Sequence, residues 1–175
     1  MDAKKPSNLL FIVGETKNEL GGSHYYKIHD QLGANVPKVN LETAPKIAKK
    51  ISAAIAQGLI VSCHDCSEGG LAVALAEMAF AGGLGIEADL RGLPKSENCT
   101  KANTQLFSES NSRYVVEVEP DNYDAFAKLM LNLPFGQIGK VTEEKILVIK
   151  VQNGRAVIEL DLDSLKEAWQ EPFNW

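Results

Sequence analysis

The sequence predicts an α+β fold, a mixed sheet with helices packed against it. Three observations lead there. Short β-branched apolar runs alternate with helical segments in the order strand–helix–strand–helix–strand, then strand–helix. The stretch "GLAVALAEMAFA" is apolar nearly all round except Glu77, and such a helix has to be covered by other elements. Near the C-terminus, strand-like runs flank Asn153-Gly154, a hairpin signal that requires antiparallel pairing and rules out a purely parallel winding.

Taken in order, residues 1–8 are polar, contain Pro6 and read as a tail or linker, leaving residues 9–175 as a single domain. "NLLFIVG" (8–14) reads as a strand ending at Gly14. "ETKNELGGSHYY" follows as a loop in which Gly21, Gly22 and Ser23 can present backbone N–H groups. Residues 42–58 form a helix: Pro45 suits its first turn, Ile47, Ile51, Ala54 and Ile55 share a face, and Gly58 stops it. "LIVSC" (59–63) is a continuous apolar run of the kind buried on both faces of a sheet. Ser67 and Glu68 then serve as N-cap and first turn of a core helix over 69–81, ended by Gly82-Gly83.

Residues 84–90 alternate like a strand, and 91–103 are polar loop. "TQLFSESNS" (104–112) is a short helix running into a turn, and 113–119 form a strand. Pro120 opens a helix whose buried stripe is Tyr123, Phe126, Leu129 and Met130. Two or three strands follow through "FGQIGKVT", "KILVIKV" and "RAVIELD", and a helix at 163–170 closes the chain.

Composition narrows the function classes. With 175 residues the chain can bury a real core, and 45% hydrophobic with 23% charged residues is ordinary for a globular protein. No apolar run approaches the ~20 residues of a membrane-spanning helix, and "MDAKKPSN" lacks a signal-peptide core. The expected location is the cytoplasm, with no membrane partner. Eighteen basic against twenty-three acidic residues, the basic ones scattered, argue against nucleic acid as a partner. Three cysteines cannot all pair, and reduced thiols are the simplest account.

The chemistry-bearing residues crowd into "SCHDCSEGG". Cys63 and Cys66 make a C-x-x-C at a helix start, where the helix dipole lowers a thiol pKa as in redox motifs. Thioredoxin-like motifs nevertheless keep aromatic neighbours and a later proline loop. Zinc needs four ligands, and Cys63, His64 and Cys66 are too crowded to chelate together while Cys99 stands alone. Buried small thiols remain the simpler reading, so no metal ligand is assigned. His64, Asp65 and Ser67 lie in one tight turn and do not face one another as a nucleophilic triad would. Asp65 or Ser67 instead suits backbone N–H groups at the helix start, and no catalytic residue is assigned.

Gly69-Gly70 at a positive helix end make a generic anion site, which Glu68 in the same turn opposes. The candidates for a phosphate-facing cleft are therefore His64, Asp65, Ser67, Gly69 and Gly70, together with Gly21, Gly22 and Ser23. Glu109 and Arg113 in "LFSESNSR" either line a cleft or solvate a turn.

Four stretches, "VGETKNELGGSHYYKI", "HDCSEGGLAVALAEMAFAGGLG", "LFSESNSRYVVEV" and "SLKEAWQ", occur in this order across nearly the whole chain. Together they resemble the C-terminal domain of phosphoribosylformylglycinamidine synthase, in its large synthetase subunit. Its wider relatives are aminoimidazole ribonucleotide synthetase, selenophosphate synthetase, thiamine-monophosphate kinase and the hydrogenase-maturation dehydratase.

The resemblance implies an α+β domain of that superfamily, belonging to a C–N ligase of purine biosynthesis. Such an enzyme uses ATP and magnesium to activate the amide oxygen of formylglycinamide ribonucleotide. Ammonia from a glutaminase partner then displaces phosphate to give the amidine. The partners implied are the N-terminal sheet domains of the same enzyme, the glutaminase and small accessory subunits. The family's catalytic histidine and magnesium carboxylates lie mainly in the N-terminal domains, so this chain is expected to be inactive alone and to require no cofactor itself. Glu109, Ser110 and Arg113 stand where the family's substrate-binding turn lies. In this second repeat that pocket resembles a non-catalytic pseudo-site, which in some members holds a structural nucleotide. The alternative from another class is a free-standing binding or scaffold domain for a phosphorylated ligand or a protein partner.

Overall fold

Leu9–Val13 (β1) is buried on both faces, because strands pair with it on either side and helices cover both surfaces. The computed structural model describes residues 1–151 and 153–173. β1 pairs antiparallel with Tyr114–Val118 (β4) and with Phe135–Thr142 (β5). Beyond β4 lies Ser62–Asp65 (β2), also antiparallel. Beyond β5 come Gly85–Asp89 (β3), antiparallel, then Ile146–Lys150 (β6), parallel to β3, and last Ala156–Asp161 (β7). The resulting seven-stranded sheet has the order β2–β4–β1–β5–β3–β6–β7 and is mixed, as the sequence predicts.

Strand alternation sends Leu10 and Ile12 to one face, and Phe11 and Val13 to the other. The first face is covered by Gly70–Gly82 (α3), the expected apolar helix. Leu71, Ala74, Leu75 and Met78 are fully or almost fully buried on it. Ala102–Phe107 (α4) contributes Leu106 to this cluster, and Leu162–Gln170 (α6) contributes Leu162. On the second face, Ala44–Ala56 (α2) buries Ile47, Ile51 and Ala54, and Tyr123–Met130 (α5) buries Phe126 and Met130. Where no helix covers that face, Glu87 of β3 pairs with Lys140 of β5 and Lys150 of β6 across the strands.

Several expectations are corrected. The run at 59–63 is not a strand buried on both faces. The chain leaves α2 at residue 57 and becomes strand only at Ser62, on the sheet edge, with Leu59 still bonded back to Ala54. Ile55 and Tyr123, placed on the apolar faces of their helices, are about half exposed, although the Tyr123 ring still packs against Phe11 of β1 with centroids 5.9 Å apart. A five-residue helix, His24–Ile28 (α1), stands inside the expected loop and is capped by Ser23, whose Oγ accepts the Tyr26 N–H at 3.2 Å.

Residues 3–8 are not a loose tail. The Ala3 N–H donates to the Met78 carbonyl at 2.9 Å, and the Ser7 N–H to that of Val141 at 2.9 Å. Glu117, wholly buried on β4, accepts the N–H groups of Lys4 (2.9 Å) and Lys5 (3.1 Å) and the side-chain amide of Asn8 (2.7 Å). A buried carboxylate is tolerated when donors replace its lost water, and this strap supplies three.

Candidate functional site

The turns carrying "ELGGS", "CHDCSEGG" and "FSES" meet in space, and residues 108–113 tie them together. The Ser108 hydroxyl donates to the Lys17 carbonyl at 2.6 Å and accepts the Glu19 N–H at 3.1 Å. The Ser110 hydroxyl accepts the Lys17 N–H at 3.0 Å. Between them, Glu109 reaches in two directions. Its Oε1 accepts the Gly69 N–H at 2.9 Å and the His24 N–H at 3.0 Å, with His24 Nδ1 at 3.6 Å.

Glu109 thereby takes the place assigned to Ser67 and Asp65 at the start of α3. The residue preceding the helix is Gly69, in a left-handed conformation with φ 74°, and a carboxylate from a distant loop meets the positive helix end. Ser67 instead donates its hydroxyl to Asp65. That bond holds the Asp65 carboxyl below its ordinary range despite its partial burial. Gly70 also has positive φ, and a Cβ there would lie 2.4 Å from the Ser108 carbonyl oxygen. Only glycine lets the 106–108 segment approach α3 this closely.

The backbone donors expected to face a phosphate are engaged within the protein. Gly21 N–H donates to Asn35 O at 2.9 Å, Gly22 to Leu32 O at 2.7 Å and Ser23 to Leu20 O at 3.2 Å. Gly69 is held by Glu109, and Gly70 donates to Ser67 O at 3.0 Å. His64 departs from the cleft altogether. On β2 it alternates with exposed Asp65 and turns inward, its Nδ1 2.8 Å from the Asp65 carbonyl and its Nε2 2.9 Å from Glu77 Oε2 of α3. Glu77, the lone acid of that helix, also accepts the Trp169 indole N–H of α6 at 3.3 Å.

A cavity of about 420 Å³ does open between the two acidic turns, bordered by Asp65, Ser67, Glu68, Glu109 and Arg113, with Pro37 at its side. Arg113 is its buried wall. The guanidinium bonds to Ser110 O at 3.0 Å, Thr16 Oγ1 at 3.0 Å and Ser108 O, all neutral oxygens. These bonds fix the loop and offset the cost of removing the charge from water. Sequence reasoning missed Thr16 and Ser108. The polar run "SESNSR" after an apolar helix end hinted at Ser108, but nothing local marks Thr16, which meets Arg113 only through the fold.

The C-x-x-C pair sits where burial disfavours the thiolate. Burial pushes the half-buried Cys63 thiol up to about 11, and burial raises Cys66 and Cys99 as well. All three are free cysteines. Among the described residues, no group of three His, Cys, Asp or Glu side chains converges on a metal-sized site. No helix among the described residues is long and apolar enough to cross a membrane.

Residues 5–152 match the family described as AIR synthase related protein, C-terminal domain. The chain belongs to this family. Within the AIR synthase related family it is similar to the phosphoribosylformylglycinamidine synthase subunit PurL of Caldanaerobacter subterraneus subsp. tengcongensis. The two are 37% identical over 100% of this chain and 23% of that subunit. PurL of Methanocaldococcus jannaschii is 39% identical over 97% of this chain and 22% of its own length. The chain thus spans less than a quarter of the curated relatives it matches. Thermotoga maritima PurL complexed with FGAR shares the fold with a TM-score of 0.81 at 20% identity, over 94% of this chain and 28% of that one. The E. coli hydrogenase maturation protein HypE does so with a TM-score of 0.66 at 19% identity, over 92% and 51%.

Proposed function

We propose that this chain is the C-terminal domain of an ATP-dependent phosphoribosylformylglycinamidine synthase, acting in the cytoplasm in purine biosynthesis. In this reading residues 9–175 are one domain, with residues 3–8 strapped onto it. The N-terminal sheet domains of the same enzyme supply the ATP and magnesium sites and the catalytic residues, a glutaminase supplies ammonia, and small accessory subunits complete the complex. Asp65, Ser67, Glu109, Ser110 and Arg113 shape the wall of the substrate cleft facing those domains. Gly21 and Gly70 allow the close backbone approaches that hold the wall together, Gly22, Ser23 and Gly69 complete its turns, and His64 braces it from behind.

The observation that carries this reading is the identity of 37–39% to PurL along essentially the whole chain. The meeting of three separate turns around Glu109 supports it, since a free-standing scaffold has no evident need for such a wall. The test is amidine formation from formylglycinamide ribonucleotide, ATP, magnesium and ammonia. Turnover is expected from the full-length polypeptide and none from these 175 residues alone. Absence of turnover from the full-length protein, or turnover by the fragment that disappears on mutating one of its own residues, overturns the proposal.

A further inference from the structure

Asp65 ends the edge strand β2, which has β4 on one side and no strand on the other. The Cys66 N–H points toward β4 and donates to Arg113 O at 2.9 Å. The Asp65 carbonyl of the same trans peptide therefore points to the open side, where no strand receives it. His64 Nδ1 lies 2.8 Å from that carbonyl oxygen. The His64 ring is 9% exposed, and its Nε2 stands 2.9 Å from Glu77 Oε2 of α3, out of line for a hydrogen bond. A carbonyl and a carboxylate only accept, so both contacts are attractive together only with a proton on each ring nitrogen. The Asp65 carboxylate, its Oδ1 3.6 Å from Nδ1, favours the same form. Among the described residues, Asp65 and Glu77 have no other ion-pair partner.

Glu77 is itself oriented from outside. Its Oε1 accepts the Trp169 indole N–H at 3.3 Å, and the Trp169 ring packs against Phe80 with centroids 5.8 Å apart. Between residues 64 and 77 lie the cleft-bordering turn, with Asp65, Ser67 and Glu68, and the first turns of α3. A contact between these two residues closes that stretch of chain into a ring. We propose that His64 and Glu77 are positioning residues, an imidazolium–carboxylate pair that clasps β2 to α3 and fixes the Asp65–Glu68 turn in the cleft wall. This rests on reading the cleft as the substrate cleft of a larger synthase. Neither side chain borders the cavity, so both act through the turn.

Nitrogen NMR of the imidazole rings in the 175-residue chain at neutral pH tests the pair. His64 should show both nitrogens protonated. In Glu77→Gln the new amide can donate to the ring, so Nε2 should lose its proton while Nδ1 keeps its own. Glu77→Ala should move the backbone amide signals of Cys66, Ser67 and Glu68 more than Glu77→Gln does. In the full-length polypeptide, Glu77→Ala should raise the KM for formylglycinamide ribonucleotide about tenfold with kcat little changed, since a displaced wall weakens binding. Glu77→Gln should recover most of that loss. Trp169→Phe keeps the aromatic packing without the indole donor, and should move the same amide signals even if Glu77→Ala does not fold. Glu159→Gln, exposed on β7, should change none of these. A single protonated nitrogen on His64 overturns the ion pair. Turn signals unmoved by Glu77→Ala and by Trp169→Phe overturn the positioning role, even in an active enzyme. A full-length protein with no amidine-forming activity refutes the proposed function, while two protonated nitrogens and moved turn signals still support the clasp.

Discussion

Glu109 accepts the backbone N–H of Gly69 at 2.9 Å, so the first turn of the core helix α3 is capped by a carboxylate from another part of the chain. The same oxygen accepts the His24 N–H at 3.0 Å, which makes Glu109 the common anchor of the three turns. Glu109→Ala is expected to cost about 1–2 kcal/mol of stability, the loss of a charged cap. Glu109→Gln, which keeps an acceptor, should cost less. Urea unfolding of both variants measures this, and wild-type stability in Glu109→Ala would show that the turns are held by something else.

Asp65 offers a pH test. The Ser67 hydroxyl is the main cause holding its carboxyl below the ordinary value of 3.8, so its stabilising contribution is present above that value. It is lost as the pH falls through the lowered folded-state value. The side chain is well exposed, and water screening keeps the effect small. In Ser67→Ala the Asp65 titration followed by NMR should move up toward the ordinary range. An unmoved titration would remove Ser67 as the cause.

Cys63 should be sluggish toward iodoacetamide. With its thiol pushed up to about 11 from 9.0, its thiolate is roughly a hundredfold scarcer at neutral pH. Alkylation should be slowed accordingly in the folded chain, and three thiols should titrate after denaturation without reductant. The folded state keeps a proton that the unfolded chain loses, so stability should fall as the pH rises from about 9 toward 11. Fast alkylation of the native chain at neutral pH would contradict the burial argument.

Glu117 locks the N-terminal strap through Lys4, Lys5 and Asn8. Removing the carboxylate leaves three donors without their acceptor, at about 1–3 kcal/mol for each that stays buried. Glu117→Ala should therefore destabilise the chain by about 3 kcal/mol, and trypsin should cut faster after Lys4 and Lys5. Unchanged cleavage would mean that the contacts of Ala3 and Ser7 hold the strap by themselves.

Local pattern carries much of this fold. The apolar periods of α2 and α5, the continuous apolar runs of β1, α3 and β4, the Asn153-Gly154 turn and the mixed order of elements are written in the residues themselves, because burial follows the geometry of each element. The resemblance in "ELGGS", "HDCSEGG" and "FSES" likewise points to the family without any coordinates. Tertiary structure alone decides which partner each polar group finds. Ser67 has the right chemistry for an N-cap, but Glu109 reaches the helix start from a loop 40 residues away and displaces it. "LIVSC" is apolar enough for a central strand, but the exit from α2 and the pairing of β4 leave only Ser62–Asp65 on the edge. Glycine donors that suit a phosphate are taken by carbonyls of residues 32 and 35, and residues 3–8 are strapped onto the domain by one buried carboxylate together with the backbone bonds of Ala3 and Ser7. Burial follows from local period, whereas hydrogen-bond partners depend on which segments meet.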